Sequence, residues 1–444
     1  MAIDDSPTMA MGIRMLRWSL QNALAITALV LSLWAASGRS PHAAPVSEEF
    51  AHELCTVLAT ATDARSAGTQ EVFVASYRPG PKEREVPPAL RSTAFTYDNA
   101  LTVIALAACG DVERARRIGA AFLHALDKDR SFRDGRVRNA YRAGAVSTAE
   151  AALLPGWWDA TAGRWAEDPY QDGSATGNVA WVTLAFLTLH QATGDSRYLA
   201  AARRTLDWIE SRTRTAGGIG FTGGVHGYDP AQQRLGWAST EHNIDIAAAA
   251  GWYARATGDA RIADMARAAR RFLDIVFVNA IGCFALGTAP SGTDPSLGPV
   301  TEPDHLALDA QLWPHLLADA TPAWSASLAC VDRHFAVAGG YDFDNDRDGL
   351  WIEGTAQAAL VFQATGQPAR AAALLDGLRI HRSPDGWLYA TPAPQLTTGL
   401  AIGPDSTTPD FFYFNRPHLG ATAWATLAAL GWNPFTGRPV RAPP

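Results

Sequence analysis

Four stretches of this chain repeat one junction: "LAACGDVERARRIGAAFLHAL", "HQATGDSRYLAAARRTLDWI", "YARATGDARIADMARAARRFLDIV" and "VFQATGQPARAAALLDGLRI". In each, an apolar helix stops at Gly, a residue able to cap follows (Asp in three of them), and an Arg/Ala-rich amphipathic helix begins. Gly tolerates the left-handed conformation that ends a helix, and an Asp carboxylate accepts from the unpaired amides that start the next. Together they specify a tight αα-hairpin. The leading helix is apolar almost all round, which predicts burial. The trailing helix carries charge on one face, which predicts an outer position.

Two less regular pairs extend the series. "LALDAQLWPHLLADATPAWSASLACVDRHF" reads as helix, short break, helix. "HLGATAWATLAAL" is a last apolar helix and "SEEFAHELCTVLATATDA" an unpaired early one; with the early helix beside the last, a ring closes on six buried and six outer helices. The expected fold is therefore all-α, an (α/α)6 toroid spanning residues 46–444. A chain of 444 residues that is 48% hydrophobic has enough apolar surface for such a core. The loops before the buried helices are far longer than the turns inside the hairpins, so function is expected at that end of the ring.

Residues 1–45 differ from the rest. Arg14 and Arg17 precede an uncharged run from Ser19 to Gly38 that ends in small residues. That describes a secretory signal, or a single-helix anchor if it is retained, followed by a short linker. Either way the remainder is expected outside the cytoplasm, secreted or periplasmic, with residues 19–38 as the membrane tether in the second case. Cys55, Cys109, Cys283 and Cys330 fit no metal spacing. Their even number permits disulfides there, Cys55–Cys109 and Cys283–Cys330 among the options, and buried free thiols are the alternative. The net charge of −7 argues against a nucleic-acid partner.

The starts of the six apolar helices are unusually polar: "STAFTYDNALTVIAL", "DGSATGNVAWVTLAFL", "WASTEHNIDIAAAA", "EPDHLALDAQLWPHLL", "GLWIEGTAQAALVF" and "FNRPHLGATAWATL". Each acidic group taken singly is ordinary capping, stabilised by the helix dipole by roughly 0.3–1 kcal/mol. Tyr97, Asp98, Asn178, Glu241, His242, Asp309, Glu353, Arg416 and His418 all at one end of a ring make a cleft instead. Carboxylates crowded there repel one another and lose hydration, which raises pKa values into the range of a general acid. Asp245 lies four residues after Glu241, on the same helix face, and suits a supporting role.

Hairpins with acidic residues at the starts of their inner helices, in "TYDNA", "STEHNID", "LDAQ" and "EGTAQ", resemble the six-hairpin (α/α)6-barrel glycosidase superfamily. The resemblance covers nearly everything beyond residue 46 and lies at the level of the fold. It implies cleavage of glycosidic bonds in a carbohydrate groove, with no cofactor required. Glu241 and Glu353 are the first candidates for acid and base, followed by Asp98 and then Asp309 as base or sugar ligand. Alternatives on the same scaffold are a lyase or sugar epimerase using His242, His418 or Tyr97 as base with Arg416 holding a carboxylate, and a non-catalytic glycan-binding protein.

Sugar rings stack their C–H faces on aromatics, and the chain has 15 Trp. Trp157 and Trp158 make the best platform candidate, with Trp237 and Trp313 at helix starts, while core packing explains many of the others. Asp172 is a further sugar ligand or weaker acid in the same loop as Trp157. The run Arg130, Arg133, Arg136, Arg138, Arg142 is a solvated face or a contact for an anionic polysaccharide. Asp344, Asp346 and Asp348 alternate before Gly349 like the start of a calcium loop, although its twelfth position is Thr355 rather than Glu.

Overall fold

The hairpin turns form by the chemistry described above. Asp111, Asp195 and Asp259 accept from the amides of Arg114, Arg197 and Arg261 at 3.2, 2.9 and 2.9 Å. Gly194 and Gly258 end the preceding helices at φ of 70° and 75°, a conformation in which a Cβ would be strained. At the fourth turn Gln367 makes no side-chain cap; Pro368 takes the first helical position, where its missing N–H costs nothing.

A computed structural model describes residues 45–66, 68–290 and 296–440. Apart from two single-turn helices, the described residues contain α1 (Pro45–Asp63), α2 (Thr96–Ala108), α3 (Val112–Asp127), α4 (Thr176–Thr193), α5 (Ser196–Thr213), α6 (Thr240–Thr257), α7 (Ala260–Val276), α8 (Leu308–Leu312), α9 (Ala326–His334), α10 (Ile352–Ala364), α11 (Pro368–Leu378) and α12 (Leu419–Leu430). The even-numbered helices form the inner ring. Each packs on the next, and α12 returns to α2. Helix α8 is the short member: Pro314 withholds an amide from the ladder, and the chain continues as a 3-10 turn over Trp313–Leu316.

Helix α1 completes the outer ring between the two ends of the barrel. Its Glu49 and Glu53 face Arg379 and Arg382, its Asp63 faces Arg114 and Arg117, and Cys55 is bonded to Cys109 at the end of α2. The second disulfide joins Cys283 to Cys330. Exposed ion pairs contribute little; buried Phe50, Leu54 and Leu58 do most of the anchoring. The described residues from Val46 onward make one compact unit. The expected signal or anchor at 19–38 lies outside the described residues. Among the described residues no helix is long and apolar enough to cross a membrane.

The connectors are less irregular than their Gly, Pro and Asp content suggests. Strands of two to three residues run directly into three inner helices: Thr93–Phe95 before α2, Ser174–Ala175 before α4 and Ala238–Ser239 before α6. A second device fixes five of the six helix starts. The fourth helical residue grips the backbone of an upstream connector: Asn99 holds the amide and carbonyl of Val74, Asn243 those of Phe221, and Gln311 those of Phe284, all at 2.7–3.0 Å. Thr355 and Thr422 accept from Tyr341 and Leu388 in the same way. These buried amides replace solvent for backbone groups that would otherwise be unpaired. Part of the polarity of "STEHNID" is thus structural.

Candidate active site

The second residue of each inner helix faces the middle of the ring, and in five of the six the pinned fourth residue holds that orientation. Those residues are Tyr97, Gly177, Glu241, Asp309, Glu353 and Gly420. Three consecutive inner helices thus contribute a carboxyl group, and the flanking two contribute no side chain at all. The vacancies matter. A Cβ on Gly420 would lie 2.8 Å from Asp98 Oδ1, 2.9 Å from Glu353 Oε2 and 2.9 Å from His418 Cε1. A Cβ on Gly177 would meet the His242 ring at 2.5 Å and Asp245 Oδ2 at 3.0 Å. The two glycines let the polar groups of neighbouring helices come together.

His418 lies between two acids. Its Nε2 is 3.4 Å from Asp98 Oδ2 and its Nδ1 is 3.5 Å from Glu353 Oε2. The ring is stacked on Tyr77 at 4.6 Å. Burial alone would push the imidazole down, but Asp98, then Glu353, outweigh it and hold His418 above its usual value. Glu353 is only 2% exposed. Its Oε1 accepts from the Tyr97 hydroxyl at 2.7 Å, and that hydroxyl accepts from Trp424 Nε1 at 2.6 Å. Burial carries Glu353 to about 7, opposed by His418 and reinforced by Asp98. Asp98 Oδ2 and Glu353 Oε2 are buried oxygens with no hydrogen-bond partner in the protein, a costly state that a ligand or ordered water relieves.

Glu241 and Asp309 form the second half of the cluster. Burial, followed by the negative charges of Asp309 and Glu353, raises Glu241 well above the ordinary carboxyl range. Asp309, 4% exposed, is raised by burial to about 6 while the amide of Ala310 opposes the shift. Glu241 is hemmed in by protein yet half-buried rather than sealed, which is the condition of a group at the wall of a cleft. His242 beside it is also half-buried and is lowered by burial to about 4, so its ring is neutral at physiological pH. Asp245 is fully buried with both oxygens unpartnered, and burial, followed by the charges of Glu241 and Asp309, raises it well above the ordinary carboxyl range.

Several other residues from the sequence stand elsewhere. Trp313 is buried; it stacks on Trp424 at 5.7 Å and meets Trp181 edge-on at 5.6 Å, so it is floor rather than platform. Trp237 is half-buried with its ring 5.5 Å from that of His242. Asn178 donates to Asn139 Oδ1 at 2.8 Å and bonds Tyr170. Arg416 is held by both Glu83 oxygens at 2.6–3.0 Å, which pairs the charge reserved for a substrate carboxylate. Asp172 is not at the cleft acids. It is buried against Arg138, whose guanidinium also binds Asp129 and Asp229, and Arg130 closes the group. The arginine run divides: Arg138 is 0% exposed and Arg136 is buried and paired with Asp134, whereas Arg130 and Arg133 are exposed.

The calcium pattern is also rearranged. Asp344 turns to His305 at 3.5 Å and accepts from the Asp346 amide. The carboxylates that converge within 4.8 Å are Asp342, Asp346 and Asp348. Asp342 was not singled out because it falls two residues before the motif. Its oxygens accept from Phe343 and Gly349, and those of Asp346 and Asp348 accept from Thr397, so protein donors already serve this loop.

Sequence reasoning missed Tyr77, Trp424, Gly177 and Gly420. Glycine at the second position of an otherwise excellent helix was the available signal for the last two.

No family model matches the sequence, and no curated protein does. Solved structures do match. A glycosidase superposes with a TM-score of 0.54 at 16% identity, over 89% of this chain and 100% of its own. A cellobiose 2-epimerase from Bacillus thermoamylovorans gives 0.60 at 9% identity, over 86% and 98%. A glycoside hydrolase family 76 mannosidase from Bacteroides thetaiotaomicron gives 0.54 at 12%, over 86% and 98%.

The chain is a six-hairpin (α/α)6 barrel.

At these identities the likeness establishes the fold. In this barrel the acidic cluster occupies the end at which the inner helices start, where their amides and dipoles face the cleft.

Proposed function

We propose that this barrel hydrolyses glycosidic bonds, with Glu241 as general acid and Asp309 as its partner. The observation that carries the reading is the convergence of Glu241, Asp309 and Glu353 from three successive inner helices, with Glu241 held well above the ordinary carboxyl range and only half-buried. Glu241 gives its proton to the leaving glycosidic oxygen as the bond to the anomeric carbon breaks. Asp309, ionised above about pH 6, takes a proton from the water that attacks that carbon. Asp98, His418, Glu353 and Tyr97 form a second wall that binds sugar hydroxyls through their free lone pairs.

Reducing-end detection against a glycan panel tests this. Glu241→Gln and Asp309→Asn are each expected to lower turnover by roughly 10²–10⁴-fold while glycan binding persists. Undiminished turnover in both variants refutes the assignment. Glycan binding without turnover in the unsubstituted protein refutes the enzyme and favours a glycan-binding role.

One observation favours a second reading, sugar epimerisation. His242 is a neutral imidazole at the cleft with a buried, unpartnered Nδ1, a state fit to take a proton from carbon beside a carbonyl. Epimerisation creates no reducing ends and incorporates solvent deuterium at that carbon. A lyase acting on uronates is less favoured, because Glu83 already pairs Arg416; an unsaturated product absorbing in the ultraviolet is its signature. We further assign the protein to an oxidising, extracytoplasmic compartment, a reading supported by the disulfides Cys55–Cys109 and Cys283–Cys330.

A further inference from the structure

The loop between α3 and α4 carries a β-hairpin, Trp157–Asp159 paired with Arg164–Ala166. Its turn is built firmly: Asp159 accepts from the amides of Thr161 and Ala162 at 2.9 and 3.0 Å, and Gly163 takes a φ of 62°. Successive strand residues face opposite sides, so Trp157 and Trp158 cannot form one surface. The register instead sets Trp158 directly opposite Trp165, on one face of the hairpin. Both rings are exposed, 64% and 46%. Trp165 is backed by the Arg142 guanidinium, 5.1 Å from the ring, and by the backbone of Gly156. A large ring held from behind and open in front loses little freedom when something stacks on it.

Position supplies the occupant. The hairpin lies at the loop end of the barrel, and four residues after Ala166 the chain reaches Tyr170. Tyr170 bonds Asn178 at the start of α4 and feels the charges of Glu241 and Asp98. Five residues of extended chain span at most about 17 Å, so Trp165 stands within a few sugar rings of the acids. Tyr228, 51% exposed, donates to the carbonyl of Glu167 on the same rim. Among the described residues, neither Trp158 nor Trp165 contacts a carboxylate of the cluster. A single sugar seated among the acids therefore leaves this pair uncovered.

We infer that Trp158 and Trp165 form an outer stacking subsite for a polymeric glycan whose chain runs out of the cleft over the hairpin. This inference deepens the glycosidase reading by naming a polysaccharide, rather than a disaccharide, as the substrate class.

The test compares the unsubstituted protein with W158A/W165A and with W158F/W165F. In affinity gels containing soluble glucan, mannan, xylan or chitosan, the polymer that retards the unsubstituted protein should retard the double alanine variant far less, and the phenylalanine variant should regain most of the effect. In kinetics, the ratio of kcat/KM on that polymer to kcat/KM on its shortest cleaved oligosaccharide should fall at least tenfold in the alanine variant. Equal retardation of all three proteins overturns the inference, as does an unchanged ratio. So does light scattering that finds a dimer abolished by the alanine pair, since the surface is then an interface between copies. The gels need no turnover, so loss of the catalytic reading and loss of the platform are told apart.

Discussion

Replacing Gly420 by Ala adds one methyl group at the most crowded point of the site. The new Cβ would stand 2.8–2.9 Å from Asp98 Oδ1, Glu353 Oε2 and His418 Cε1, inside the contact distance of all three. None of the three sits at the end of a long, free side chain. Glu353 is fixed by Tyr97, and His418 is stacked on Tyr77. Overpacking by one methylene costs about 1–3 kcal/mol, and Ala regains up to about 1 kcal/mol of helix propensity over Gly. The net loss of stability thus lies between about 0 and 3 kcal/mol. Function should suffer more, because displacing groups of an active site by about 1 Å costs on the order of 10²-fold in rate. The assays are thermal unfolding and kcat/KM on whichever glycan the panel identifies. Gly217, with nothing within 4 Å of its added Cβ, is the control, and Gly217→Ala should change neither quantity appreciably. A Gly420→Ala protein with unsubstituted activity refutes the claim that this vacancy sets the geometry of Asp98, Glu353 and His418.

Glu353 is raised by burial to about 7, so between its unfolded value of 4.5 and about 7 the folded state holds a proton that the unfolded state releases. Its burial therefore weakens the fold as pH rises through that window, by roughly 3 kcal/mol; Glu353→Gln should raise Tm at pH 8 relative to the unsubstituted protein and gain less at pH 4.5, and a pH-independent difference is the contrary result. Cys283→Ser/Cys330→Ser opens a loop of 47 residues, an expected loss of about 4 kcal/mol in the chain-entropy account, read by denaturant titration. Asp172→Asn leaves Arg138 under-neutralised in a buried cluster, so stability should fall by about 3–5 kcal/mol. The kcat of the folded fraction should stay within a few-fold; a selective loss of kcat would return Asp172 to the site.

Gly194, Asp195, Gly258 and Asp259 act within a few residues of themselves, and for that reason the turns they build were legible. The same holds for the apolar faces of the inner helices, whose burial follows from their period. Trp157 and Trp158 were misleading as a pair because the sequence does not reveal that this stretch is a strand; in a strand, neighbours part and Trp165 becomes the partner. Asp172 was misleading because its partners are distant in sequence, Arg138 34 residues earlier in the same connector and Asp229 in the connector before α6.

By itself the sequence determined the hairpins, the ring they close and the end at which polar groups gather, since capping, helical period and dipole direction are local properties. Tertiary structure decided which of those groups meet. Residues 97, 177, 241, 309, 353 and 420 are never near one another along the chain, and packing of the inner helices, with clasps at the fourth positions of five of them, brings them to a common centre. Likewise Asn243 became a clasp and Glu241 an acid, two residues apart, because one faces a connector and the other faces the cleft. Burial and neighbouring charge, which set proton affinity, exist only once distant segments have packed.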